Sequence, residues 1–264
     1  MLIDFHTHAF PDRLASRALA VLSKDIASAP LSDGTADGLI RFMDRSCVDR
    51  SVVCNIATNP RQTENVNRFA AETLSAHGSR LTPLGSVTPL NGDPLSVLDA
   101  IRKAGLPGIK IHPDYMKCEI DDPLFDGIFD ACASLGLFIV THAGFDVYSP
   151  DKVWAGPDRI LRRLERSPRT ALIAAHYGGN MMWDEVEEKL CGRELYIDTS
   201  LGGMTKLEPA QAARILSKHD PERILFGSDF PICSPGMNLG GVFSEPLSDA
   251  ELENILCKNF RCMV

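Results

Sequence analysis

The 264-residue chain has no basic block: 27 Lys and Arg stand against 35 Asp and Glu, for a net charge of −8. The electrostatic footprint of a nucleic-acid binder is therefore missing. No stretch approaches the roughly 18 uninterrupted apolar residues of a membrane helix. A strand-like Leu2-Ile3-Asp4-Phe5-His6 begins at once and leaves no room for a signal peptide. Eight cysteines are scattered without a single Cys-x-x-Cys pair, which in a chain of this size reads as reduced, mostly buried thiols. Internal repeats, low-complexity tracts and interdomain linkers are also lacking, so residues 1–264 read as one domain. Together these absences point to a cytoplasmic enzyme with a small-molecule partner and no membrane or nucleic-acid partner.

What the chain does contain is a regular alternation. Short apolar or β-branched runs at residues 2–8, 51–57, 81–87, 108–113, 137–143, 171–177, 195–200 and 224–231 have the length and composition of strands buried on both faces. Longer helical patterns separate them. Asp93-Pro94 and Asp122-Pro123 place a capping carboxylate before a proline, and Gly105 and Gly136 sit where helices end. Ser248 with Glu251 makes a capping box, and Asn59-Pro60 and Gly78 bracket another helix. Strict strand–helix alternation implies parallel pairing through right-handed crossovers. Eight units over this length predict an α/β fold, a (β/α)8 TIM barrel. An open doubly wound sheet would show a Gly-rich phosphate loop after its first strand, where this chain has His-x-His. The longest irregular stretch, residues 9–37, is expected to lie beside the mouth and help select substrate.

Five of the seven histidines fall at or near the carboxyl ends of these runs: His6, His8, His112, His142 and His176. In a barrel those ends surround one mouth. His77 and His219 fall at helix ends, where solvation or the helix dipole accounts for them. One residue separates His6 from His8, so both imidazoles project to the same side of a strand. Their candidate partners are His142 and Asp229, the latter in Phe226-Gly227-Ser228-Asp229-Phe230-Pro231 on the run that closes the barrel beside the first. Imidazole nitrogens with a carboxylate suit a catalytic divalent ion such as Zn²⁺, with a position left open for water. A lone His-x-His is a weak motif; its combination with groups at the ends of separate strands carries the inference.

With these motifs the chain resembles the amidohydrolase superfamily, and within it the amidohydrolase-related group that includes aminocarboxymuconate-semialdehyde decarboxylase. The resemblance runs nearly end to end, through Ile3-Asp4-Phe5-His6-Thr7-His8, Gly108-Ile109-Lys110-Ile111-His112-Pro113, Thr141-His142-Ala143-Gly144, Ala175-His176-Tyr177-Gly178-Gly179 and the Asp229 segment. It implies His6, His8, His142 and Asp229 as ligands of one divalent ion, with a second ion as the alternative. It implies Asp229 also as the proton acceptor for activated water, and His176 as the group that orients water or substrate. Lys110 matches the lysine that is carboxylated and bridges two ions in binuclear members; as a plain ammonium it would instead grip a substrate carboxylate or form a structural ion pair. His112, two residues on, is a candidate substrate contact, as are Arg13, Arg61, Tyr115 and Trp154 near the mouth. Tyr177, Asn180 and Thr199 also fall on loops there.

Phosphoesterases that open with His-x-His close with Asp-x-His, whereas Asp229 precedes Phe230 and Pro231. Nucleases of the TatD type need a metal-binding glutamate in the middle strands, and none is found there. The leading expectation is a hydrolase in which activated water attacks an amide or lactone carbonyl of a carboxylated substrate. The alternative is a lyase, a decarboxylase or hydratase of an unsaturated carboxylic acid. A neighbouring subunit of a homodimer is a further source of substrate contacts.

Overall fold

The computed structural model describes residues 1–22, 30–243 and 247–264. Each of the eight apolar runs coincides with a strand, β2 alone starting one residue before its run: β1 (Ile3–Thr7), β2 (Arg50–Val53), β3 (Leu81–Pro83), β4 (Gly108–Ile111), β5 (Phe138–Thr141), β6 (Leu172–Ala174), β7 (Tyr196–Asp198) and β8 (Ile224–Leu225). All neighbours pair in parallel, β1 to β3 in one ladder and β4 to β8 in another. Backbone hydrogen bonds cross both seams between the ladders. Lys110 N donates to Gly85 O at 2.9 Å, Phe5 N to Phe226 O at 2.7 Å, and Asp229 N to His6 O at 2.8 Å. The architecture is the expected (β/α)8 barrel.

Every strand is shorter than its apolar run, because the carboxyl-terminal halves leave the ladder to form the mouth. His176, Tyr177, Leu201 and Asp229 all have positive φ there, between 56° and 72°. Non-glycine residues in that region cost energy and cluster where a site needs them.

Side chains alternate along each strand between two apolar sets. Ile109, Ile111, Ile139 and Ile197 face the helices, among Ile128, Phe129, Ile160 and Ile215. Val52, Leu84, Phe138, Val140, Ile173 and Leu225 fill the barrel interior together with Ile3 and Phe5, and Phe260 packs into the same group, 5.5 Å from the Phe5 ring. Ile3 and Phe5 are odd-numbered, whereas the site residues His6 and His8 are even-numbered. The β1–β2 register is irregular between Asp4 and Thr7. Such a bulge re-aims side chains, so one strand supplies both the apolar floor and the polar mouth.

The caps follow the expected chemistry. Asn59 accepts from Arg61 N and Asp93 from Ser96 N, and Ser248 and Glu251 form a reciprocal box. Asp122 caps a short 3₁₀ turn, Pro123–Phe125, and the helix proper begins at Asp126. Residues 9–37 are less irregular than expected. Asp12–Leu22 is a helix that buries Ala15 and Leu19, a face too small to register as periodic; residues 23–29 of this stretch lie outside the described residues. None of the eight cysteines is bridged, and five are buried. No helix among the described residues is long and apolar enough to cross a membrane.

The seam between β8 and β1 is tight. A Cβ placed on Gly227 would meet His6 Cβ at 2.9 Å and His6 N at 3.3 Å. Gly227→Ala is expected to lower stability by about 1–3 kcal/mol through this overpacking, read as a lower urea midpoint at unchanged slope.

Candidate metal centre

The seam brings His6, His8 and Asp229 together. The His6 and His8 Nε2 atoms lie 3.4 Å and 3.1 Å from Asp229 Oδ1. Their far nitrogens decide what those atoms can do. His8 Nδ1 lies 3.0 Å from the Cys54 carbonyl, and His6 Nδ1 lies 2.8 Å from Asp198 Oδ2. A carbonyl or carboxylate oxygen only accepts, so each Nδ1 carries the proton and each neutral ring turns an Nε2 lone pair towards Asp229. Three acceptors thus converge with no proton between them, an arrangement that a cation relieves. The donor set fits a divalent ion on these grounds.

Burial alone would raise the Asp229 pKa, but its contacts with His8 and His6 outweigh it and hold the carboxyl well below the usual range. Asp198 is likewise held low against its burial, chiefly by His6. Burial, reinforced by Lys110, lowers His6; it pushes His176 down to about 3 and His142 well below its ordinary value. These rings are neutral at neutral pH, the state in which imidazole binds metal.

His142 stands one step away. Its Nδ1 lies 3.1 Å from His176 Nε2, and its own Nε2 is buried without a hydrogen-bond partner. Asp146 and His112 flank it on the other side, with His112 Nε2 at 3.4 Å and His142 Nε2 at 3.9 Å from Asp146 Oδ2. These three groups are close enough to hold an ion, but the His112 and His142 rings are stacked, 8° apart at 4.3 Å. A ring nitrogen's lone pair lies in the ring plane, and two nearly parallel planes share no point at bonding distance.

Lys110 is buried in the barrel, its Nζ 3.3 Å from His6 Nε2, and it forms no salt bridge among the described residues. Tyr115 stacks on His112 at 3.7 Å and 1°. Trp154 has a buried, unpartnered Nε1, with Lys152 Nζ 4.0 Å above the ring. Arg13 and Arg61 are exposed on their helices, and the structure does not bring them into the histidine–aspartate cluster. Asn180 ties two mouth loops by donating to Phe145 O, Thr199 bonds the Gly227 backbone, and Tyr177 packs into the helix-side core. The 9–37 segment and the loop after His142 do meet, where Tyr148 Oη donates to Leu22 O at 2.5 Å.

His77 is partly buried, 3.6 Å from Asp37. His219 does end a helix, Pro209–Lys218, but it is not accounted for by solvation or the dipole: it is buried, accepts from Gly192 N and donates to Leu195 O, and so pins two loops. The sequence reading missed Asp4, Asp146, Asp198 and Ser200. A charged residue inside or ending an apolar strand, as in Ile3-Asp4-Phe5 and Tyr196-Ile197-Asp198, was the available signal.

Asp4 is buried and accepts from Ser228 Oγ at 2.6 Å and Ser228 N at 2.9 Å, and burial raises it to about 7. Its folded value lies above its unfolded one, so between about pH 4 and 7 the folded chain holds a proton that the unfolded chain has lost. Its contribution to stability therefore falls as pH rises through that window. Asp4→Asn removes the dependence. In urea unfolding of metal-free protein, the variant is expected to gain on the wild type from about pH 4 to 7 and no further above it.

The family described as Amidohydrolase matches residues 3–261. No curated protein sequence matches the chain. Among solved structures it is similar to 5-carboxyvanillate decarboxylase from Sphingomonas paucimobilis, at 16% identity and a TM-score of 0.71, over 99% of this chain and 98% of that one. It is also similar to an uncharacterised TIM-barrel protein from Bordetella bronchiseptica, at 16% and 0.74, over 99% and 97%. A third is a dihydroxybenzoic acid decarboxylase from a Polaromonas species with bound manganese and 2-nitroresorcinol, at 12% and 0.70, over 99% and 96%. At such identities the structures speak for the fold, while the family match spans nearly the whole chain: the protein belongs to the amidohydrolase family of enzymes.

Proposed function

We propose that the enzyme is a metal-dependent carboxy-lyase, removing carbon dioxide without oxidation from a small unsaturated carboxylic acid. The observation that carries this reading is Lys110, a buried lysine beside His6 that forms no salt bridge among the described residues. Its ammonium would grip a substrate carboxylate. The decarboxylase names among the similar structures favour this lyase over the hydrolase, and make hydroxybenzoates the first substrates to test.

In this reading His6, His8, His142 and Asp229 hold one divalent ion, with zinc and manganese both suited to the set. When bound, the ion would supply positive charge that polarises substrate oxygens. Decarboxylation breaks the bond between the carboxylate carbon and its unsaturated neighbour; the electron pair stays on the neighbour, and a proton takes the place of carbon dioxide. Asp229 relays that proton. Being a weak base, it gives up a proton readily once it has received one. His176 is neutral and sits behind His142, where it holds that ring in place. The stack of Tyr115, His112 and His142 offers an aromatic wall to a planar acid, and Trp154 is a further contact. We assign this chemistry to a single domain of residues 1–264, and the unbridged cysteines suit a reducing cytoplasm.

The test is product analysis with metal-loaded protein. In D₂O the product should carry one deuterium at the carbon that lost carbon dioxide, and in H₂¹⁸O it should gain no oxygen. Label from ¹⁸O in the product would overturn the carboxy-lyase in favour of hydrolysis or hydration. Asp229→Asn is expected to lower turnover by roughly 10²–10⁴-fold, the usual weight of a positioned acid–base group.

A further inference from the structure

At the end of β7, Asp198 is buried and uses both oxygens. Oδ2 takes the His6 Nδ1 proton at 2.8 Å. Oδ1 accepts from the backbone N of His176 at 3.1 Å, from the backbone N of Ser200 at 3.0 Å, and from the Ser200 hydroxyl. A serine hydroxyl has one proton, and here the carboxylate, which can only accept, takes it. Ser200 Oγ is left as an acceptor, and it lies 2.7 Å from His176 Nδ1 and 3.2 Å from His6 Nδ1. His176 Nδ1 therefore carries its ring's proton, and its Nε2 is a lone pair. That lone pair faces His142 Nδ1 at 3.1 Å, so His142 Nδ1 is protonated in turn. The His142 Nε2 is then bare, which accounts for a buried ring nitrogen with no hydrogen-bond partner.

We infer that Asp198 and Ser200 are positioning residues that set the proton on His6, His176 and His142 together, and so hold the His142 Nε2 lone pair ready for the metal. Four strand ends are linked in one direction of donation: β5 to β6, β6 to β7, and β1 to β7. His8 is set separately by the Cys54 carbonyl. The neutral state of His142 and His176 that this chain of bonds requires agrees with the depression of both by burial. The same polarity makes His176 Nε2 an acceptor, so a neutral His176 cannot donate from that atom to a developing oxyanion. The inference rests on the proposed metal role of His142, but not on which reaction follows.

Two-bond ¹H–¹⁵N correlation spectra of the metal-free protein read the tautomers directly. Wild-type His6, His8, His142 and His176 should all show protonated Nδ1 and bare Nε2. Ser200→Ala should shift His176 and His142 towards the other tautomer and leave His8 unchanged, and Ser200→Thr, which keeps the hydroxyl, should restore the wild-type pattern. Zn²⁺ affinity should fall roughly 10–100-fold in Ser200→Ala, the usual loss for an outer partner of a ligand, and recover in Ser200→Thr. A protonated His142 Nε2 in the wild type would overturn the inference, even if no variant folds. Unchanged tautomers in folded Ser200→Ala would overturn it as well. A wild-type pattern as described, in a protein that proves to be a hydrolase, would leave the relay standing and remove only the lyase.

Discussion

Closure between the first strand and the last is the constraint on which the site depends. His6 and His8 on β1 face Asp229 beyond β8 only because Gly227 leaves room for His6 and because Asp4 binds both the hydroxyl and the backbone N–H of Ser228. More than two hundred residues separate these partners in sequence. The bulge in β1 adds the second requirement, since it lets one short strand change sides between Phe5 and His6. Without it, the residues that fill the interior and the residues that line the mouth could not alternate correctly along one chain.

Electrostatics at the mouth follow from groups with only one role available. The Cys54 carbonyl and Asp198 can do nothing but accept, so they orient His8 and His6 without help from titration. Desolvation keeps His6, His142 and His176 neutral, while Asp198 and Asp229 among them stay ionised. The nearby Lys110 adds to the depression of His6 and His142. The cluster thus repels protons and attracts anions and, through its inward lone pairs, cations. This combination suits an ion and a carboxylate binding side by side.

Much of this was legible in the sequence, because buried parallel strands are apolar runs and their ends carry the polar residues. Seven of the eight strands lie within the runs read from the chain and β2 begins one residue before its run, and His6, His8, Asp229, His142 and His176 meet at the mouth as their positions at the run ends imply. The runs overstated the strands because apolar composition does not report where the backbone leaves the ladder; positive φ at His176 and Asp229 has no hydrophobic signature. Asp198 and Ser200 were passed over since their partners lie on other strands, and only three-dimensional placement shows a hydroxyl proton already committed. His219 looked like a surface helix end until its two loop contacts were visible.

The interior floor has a consequence for how the molecule comes into being. Phe5 and Phe138 pack against Phe260, and Asn259 holds the carbonyls of Pro221 and Ile224 at the start of β8. Of the strands β1 is made first and gains β2 and the rings and aliphatic groups of the middle strands in turn, yet its edge towards β8 and its contact with Phe260 are completed only after β8 has been made. Domains whose decisive contacts span the whole sequence gather slowly. The strand that carries the first two histidines must therefore wait, unpaired on one side, until β8 has been made.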